Sequence, residues 1–205
     1  RVMDAPSARA LAAALRRMPA LRALTLRLVL VPESSAAELF RAPSAAPAPQ
    51  VRAFTVFLST LTPAAARALA ASGWPLEELD LRGNNDLGAA GVKALVASPT
   101  FALRRLTLRQ CGLDAAALLA LADAPWPLEE LALYDNDFSA AAAGPALVAL
   151  SRHARLRKLN TAFCRLSAAG FKALLEAAWP ALTSLNAAGN GVEFDGPHAL
   201  GVAAF

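Results

Sequence analysis

Cysteine, histidine and aromatic side chains are scarce in this chain of 205 residues, and each scarcity closes off a class of function. Two cysteines admit one disulfide at most. The two histidines, His153 and His198, lie far from each other and from either cysteine, so no set of ligands converges on a metal. With three Trp and one Tyr in a chain that is 56% hydrophobic, the core must be built from Leu and Ala. That composition also excludes disorder as the overall state. No apolar run reaches the roughly 20 residues needed to cross a bilayer. The longest weakly polar stretch, Phe138 to Leu150, is broken by Ser139, Gly144 and Pro145. The N-terminus has no initiator Met, no apolar signal core and no cleavage site, so residue 1 reads as internal to a longer product.

Charge is modest in total, +4, but uneven along the chain. Residues 1–75 carry 9 Lys/Arg against 3 Asp/Glu, residues 76–137 carry 5 against 10, and residues 138–205 carry 6 against 3. A basic, acidic, basic order suits a protein with complementary patches better than a uniformly anionic polymer. The rival is nucleic acid or another anionic surface, bound through Arg9, Arg16, Arg17, Arg22, Arg27 and Arg52.

What is present in abundance is leucine in a fixed pattern. Leu76-Glu77-Glu78-Leu79-Asp80-Leu81-Arg82-Gly83-Asn84 carries leucines at positions one, four and six and Asn at nine. The pattern returns seven times, starting at Leu21, Val51, Leu76, Leu103, Leu128, Leu156 and Leu182, at spacings of 30, 25, 27, 25, 28 and 26. Apolar and polar residues alternate from position three to seven, as a strand with one buried face requires. Position nine holds Asn84, Cys111, Asn136, Cys164 and Asn190, where a small polar group facing inward can bond to a neighbouring turn. Val29 and Ser59 depart from this in the first two turns, whose loops are expected to be less regular. Position eleven is apolar in six turns (Val31, Leu61, Leu113, Phe138, Leu166, Val192), and in the third Leu87 comes one residue late.

Each turn then enters an Ala/Leu helix. The expected helices are Glu33–Phe40, Pro63–Ala71, Ala89–Ala97, Asp114–Ala122, Ala140–Leu150, Ala168–Ala178 and Pro197–Ala204, with Ala5 to Met18 as the helix of a turn that begins upstream. Thr62, Ser139 and Ser167 stand where a helix N-cap belongs. The Pro/Ala segment from Arg41 to Gln50 accounts for the longest spacing and reads as a surface return loop. Trp74 and Trp126 recur in matching Trp-Pro-Leu-Glu-Glu-Leu segments 52 residues apart, a doubled period, and are expected to cover the return from helix to strand.

Leu79 to Leu95 and, next, Cys164 to Leu174 resemble the leucine-rich repeat superfamily, specifically its ribonuclease-inhibitor-like class. The resemblance implies an α/β solenoid, a horseshoe with a parallel sheet on the concave face and helices on the convex face. One domain spans 1–205, with seven repeats over 21–205 preceded by a helix in 1–20. It implies a non-catalytic scaffold that docks a protein on its concave face, as a monomer or within a larger chain, without cofactor or metal. Gly88 and Gly91 then belong to the repeat rather than to a phosphate loop, and no Ser, His and Asp converge in this register.

In the same alignment positions three, five, seven and eight face out of the core. Position seven stacks Arg27, Phe57, Arg82, Arg109 and Tyr134 at about 5 Å, the strand spacing. Arg and aromatic side chains dominate binding energy when a partner desolvates them. The candidate contact residues are Asp80, Arg82, Arg109, Tyr134, Asp135, Phe57 and Asn160. Position three alternates sign through Glu78, Arg105, Glu130 and Lys158 and is expected to form an ion-pair ladder. Cys111 and Cys164 share position nine two turns apart, near 10 Å, beyond the roughly 7 Å reach of a disulfide. Unpaired thiols without a signal peptide point to a cytoplasmic setting.

Overall fold

Strands built from these leucine segments need a parallel neighbour on each side and a helix to return the chain, because a parallel crossover cannot be made by a tight turn. The computed structural model, which describes residues 2–27, 31–41 and 49–191, has this arrangement. Val29, Val192, His198, the helix expected at Pro197–Ala204 and residues 42–48 of the Pro/Ala loop lie outside the described residues.

The chain runs α1 (Ala5–Arg16), β1 (Ala23–Arg27), α2 (Glu33–Leu39), β2 (Ala53–Phe57), α3 (Pro63–Ala70), β3 (Glu78–Asp80) and α4 (Gly88–Val96). It continues through β4 (Arg105–Thr107), α5 (Ala115–Ala122), β5 (Glu130–Ala132), α6 (Ala143–Leu150), β6 (Lys158–Asn160), α7 (Ala168–Glu176) and β7 (Ser184–Asn186). The strands form one parallel sheet in chain order. Position three is in register throughout, from Ala23 through Ala53, Glu78, Arg105, Glu130 and Lys158 to Ser184. Strands sit about 4.8 Å apart and packed helices about 8–10 Å apart, so the stack bends with the sheet inside.

Between the layers the leucines form columns. Leu76, Leu103, Leu128 and Leu156 at position one, and Leu79, Leu106, Leu131 and Leu159 at position four, are buried. Leu81, Leu108 and Leu133 at position six are fully buried. Leu61, Leu87, Leu113, Phe138 and Leu166 complete the core beneath the helices, and Leu87 fills its place despite the extra loop residue. Trp74 is buried edge-on against Phe40 and Phe54, with centroids 5.5 and 5.3 Å away. Trp126 is buried in the matching place two turns later.

Helix starts agree in part with the expected caps. Thr62 and Ser167 accept from the amides of Ala65 and Gly170, and Asp4 and Asp114 do the same for α1 and α5. Ser139 does not cap. Its hydroxyl and amide both go to Asp137 Oδ1, at 2.7 and 3.1 Å, and α6 begins at Ala143 rather than Ala140. The carboxylate that captures Ser139 is held below its ordinary range first by the bond from the Ser139 side chain and then by the one from its amide. The second turn, expected to be irregular at Ser59, differs mainly in strand length, since β1 and β2 have five residues where later strands have three.

The corner after each strand is held by position nine. Position eight is left-handed in every described case, with φ of 52° at Leu58, 73° at Gly83, 51° at Gln110, 58° at Asp135, 54° at Phe163 and 68° at Gly189. This turns the next side chain inward. Asn136 Oδ1 accepts from the amides of Cys111 and Leu113, at 3.1 and 3.0 Å, and its Nδ2 donates to the carbonyls of Leu108 and Leu133. Asn190 repeats this set two turns on, with Cys164, Leu166, Thr161 and Ala187. Asn84 bonds Leu61, Val56 and Leu81. The cysteines donate to the same preceding carbonyls, Cys111 to Leu81 and Cys164 to Leu133, both at 3.1 Å.

Truncating Asn136 strands two buried amides and the Leu108 carbonyl and leaves the Leu133 carbonyl only the Cys164 thiol, whereas truncating Cys111 loses one weak donor. Asn136→Ala is expected to lower the unfolding free energy by about 2–4 kcal/mol and Cys111→Ala by about 1 kcal/mol. Urea denaturation measures both, and faster hydrogen exchange at Cys111 and Leu113 identifies the cause of the first.

Candidate functional site

The open face of the sheet carries the side chains of positions three, five and seven, and its far edge those of position eight. Position three forms the expected ladder in part: Glu78 pairs with Arg105, and Lys158 Nζ lies 2.9 Å from Glu130 Oε1. Position two forms a second one, with Arg52 paired to Glu77 and Arg104 to Glu129. The doublets Glu77-Glu78, Arg104-Arg105, Glu129-Glu130 and Arg157-Lys158 alternate in sign from turn to turn, so from β3 to β6 neighbouring strands present opposite charges. These pairs are solvated and each is worth under about 1 kcal/mol.

Position five is partly committed to the backbone. Asp80 Oδ1 accepts from the amide of Arg82 at 3.2 Å, Asn160 Oδ1 from Ala162 at 3.0 Å, and Asn186 Oδ1 from Ala188 at 3.2 Å. Each closes the end of its strand. Asp80 also grips the Arg82 side chain, whose Nε lies 2.9 and 3.0 Å from the two carboxylate oxygens. That hydrogen bond, ahead of the charge attraction behind it, holds the guanidinium above its ordinary range.

Positions seven and eight gather the Arg and aromatic side chains into two groups. Phe57 lies between Arg27 and Arg82, whose guanidinium carbons are 4.7 and 5.7 Å from the ring centroid. Tyr134 lies between Arg109, 4.4 Å from its centroid, and Phe163, whose ring is 5.2 Å away and tilted by 58°. Phe163 is 51% exposed and Leu58 48%. Position eight is itself paired. Leu58 covers Gly83, where a Cβ would come within 2.8 Å of Leu58 Cδ2, and Phe163 covers Gly189, where a Cβ would come within 2.6 Å of the ring. Between them Gln110 donates to Asp135 Oδ2 at 2.7 Å.

Of the seven candidate residues, Phe57 and Arg82 therefore stand in one group and Arg109 and Tyr134 in the other. Asp80, Asp135 and Asn160 mainly serve bonds within the chain. Phe163 and Leu58 belong with the aromatic groups but are absent from the sequence-derived set, because position eight holds Leu, Gly, Gln, Asp and Phe and shows no periodic residue type. The signal that marks them is a large apolar residue standing immediately before the inward position nine.

Beside the second group is a shallow hollow of ≈ 330 Å³ over β4 to β7, lined at position three by Arg105, Glu130, Lys158 and Ser184 and at position five by Thr107, Ala132, Asn160 and Asn186. Ala132 is the one residue of that row without a polar side chain, and its missing atoms make the depression.

The remaining reactive groups are enclosed. Burial is the main cause that pushes the Cys111 thiol up to about 12 and the Cys164 thiol up to about 11. Both are unbridged. His153 is buried with Nε2 2.8 Å from the Leu121 carbonyl, which ties α6 to α5. Among the described residues no helix is long and apolar enough to cross a membrane.

A family model described as Leucine Rich repeat matches residues 75–96, the third turn from its return segment through α4. No curated protein matches the chain. The matched turn, repeated in a seven-stranded parallel solenoid with a helix between successive strands, supports a leucine-rich repeat protein.

A thiol whose folded pKa lies above its unfolded value is protonated, and so unreactive, at a pH where the unfolded thiol is already partly thiolate. At pH 8 neither cysteine is expected to react with a disulfide reagent in the native chain. After denaturation two equivalents are expected to be released, as read by absorbance.

Proposed function

We propose that this leucine-rich repeat chain is a non-catalytic scaffold, acting as one repeat domain, that holds a protein partner against the open face of its sheet. The observation that supports this is the pair of Arg–aromatic groups. Phe57, Leu58, Tyr134 and Phe163 present apolar surface beside Arg27, Arg82 and Arg109 on a face that no helix of the described residues covers. Rings stacked with guanidinium groups are partly immobilised before binding, which lowers the entropy lost on docking. Phosphate-type recognition is less favoured. The six arginines of the basic first quarter are divided between α1 and the sheet, and Arg9 and Arg52 are already paired with Glu38 and Glu77. Turn lengths of 25 to 30 residues with a helix in each return support the ribonuclease-inhibitor-like class. Two buried thiols suit a reducing, cytoplasmic setting.

The expected consequence is that the double variant Arg109→Glu/Tyr134→Ser loses partners that the parent chain captures, with affinity falling at least tenfold. The position-three variant Glu78→Gln is expected to retain them. Quantitative pull-down followed by titration of a recovered partner measures both, and retention of every partner by the double variant overturns the proposal.

A further inference from the structure

Acidic groups on the sheet face are already occupied, whereas several hydrogen-bond donors are not. Glu78 is held by Arg105, Glu130 by Lys158, Asp80 by Arg82 and Asp135 by Gln110. Around the hollow over Ala132 the balance is reversed. Asn160 and Asn186 spend their Oδ1 atoms on the backbone amides of Ala162 and Ala188, and their Nδ2 groups have no acceptor among the described residues. Arg109 makes no ion pair among the described residues and lies over the Tyr134 ring. The one carboxylate lining the hollow, Glu130, is paired with Lys158, and Arg105 lines it as well, so the lining favours a guest that brings acceptors and negative charge.

The geometry also fixes a spacing. Ala132 and Tyr134 are at positions five and seven and face the same side, about 6.6 Å apart at the rise of an extended chain. The ≈ 330 Å³ hollow takes one side chain, while the Tyr134–Phe163 pair offers an open apolar surface. An extended partner presents side chains to one side at every second residue, the same interval.

Resting on the scaffold proposal above, we propose that the partner supplies an acidic segment in which Asp or Glu enters the hollow over Ala132 and an apolar side chain two residues away lies on Tyr134 and Phe163. The carboxylate receives the free amide donors of Asn160 and Asn186, with Arg109 on the same face. The sequence preference is therefore acid, any residue, apolar, read in either direction.

Panning a phage-displayed random 12-residue peptide library on the whole 205-residue chain tests this. Enriched peptides are expected to carry an acid and an apolar residue two apart. As labelled synthetic peptides they are expected to bind Ala132→Trp, Ala132→Gln and Arg109→Glu at least tenfold more weakly than the parent. Circular dichroism establishes that each variant is folded, and the helix-face variant Leu119→Ser is expected to bind as the parent does. Enriched peptides that lack acids, or that bind both Ala132 variants unchanged while losing Arg109→Glu/Tyr134→Ser, overturn the inference and leave the scaffold intact. Failure to enrich any peptide sensitive to a sheet-face substitution overturns both.

Discussion

The inward-facing side chain at position nine is the interaction on which the rest of the structure depends. A strand that ends and turns toward a helix leaves amides and carbonyls at the corner with no ladder partner, and in a solenoid these corners are buried against one another. Asn carries two donors and an acceptor that accepts twice, so one side chain closes the corner of its own turn and that of the turn before. Cys supplies only a weak donor to the same carbonyl column. It is tolerated at Cys111 and Cys164 because Asn136 and Asn190, one turn further on, accept from the amides at those two corners. The left-handed residue at position eight is the accompanying cost, of order 1 kcal/mol where the residue is not glycine. Strand register, and with it the placing of every outer side chain in rows, follows from this column.

Those rows separate two kinds of chemistry. Positions two and three hold charges that neutralise one another between turns and add little stability. Positions seven and eight hold rings and guanidinium groups that stack without neutralising. A surface whose charges are satisfied on one side and whose rings are exposed on the other has a direction, with the apolar edge beside the hollow.

Much of the fold was legible because solenoid positions are read by period alone. The seven starts, the buried leucines, the late Leu87 and the role of Asn84, Asn136 and Asn190 all follow from spacing. Caps were less legible. Ser139 has the right residue type in the right place, but Asp137 two residues earlier offers a stronger acceptor than the helix amides offer a donor. The candidate face was legible as a row and not as contacts. Arg109 over Tyr134 is a neighbour relation within position seven, which alignment supplies. The packing of Phe163 on Tyr134 crosses from position eight to seven and depends on a left-handed corner at a residue with no glycine. The hollow over Ala132 was hidden for another reason: it arises from missing atoms, and an alanine in an alanine-rich chain attracts no notice.

The sign-alternating doublets, the Asn/Cys exchange at position nine and the pairing of neighbours at position eight share one property, a step of two turns rather than one. The array therefore has a parity. Removing a single turn, such as the one containing Arg104 and Arg105, would set Glu77-Glu78 directly beside Glu129-Glu130 and leave Leu58-Gly83 followed by an unpaired Asp135. Removing two adjacent turns restores the alternation of charge and the Asn/Cys order. Growth or loss of this protein in steps of about 52 residues preserves these alternations, and steps of half that length do not.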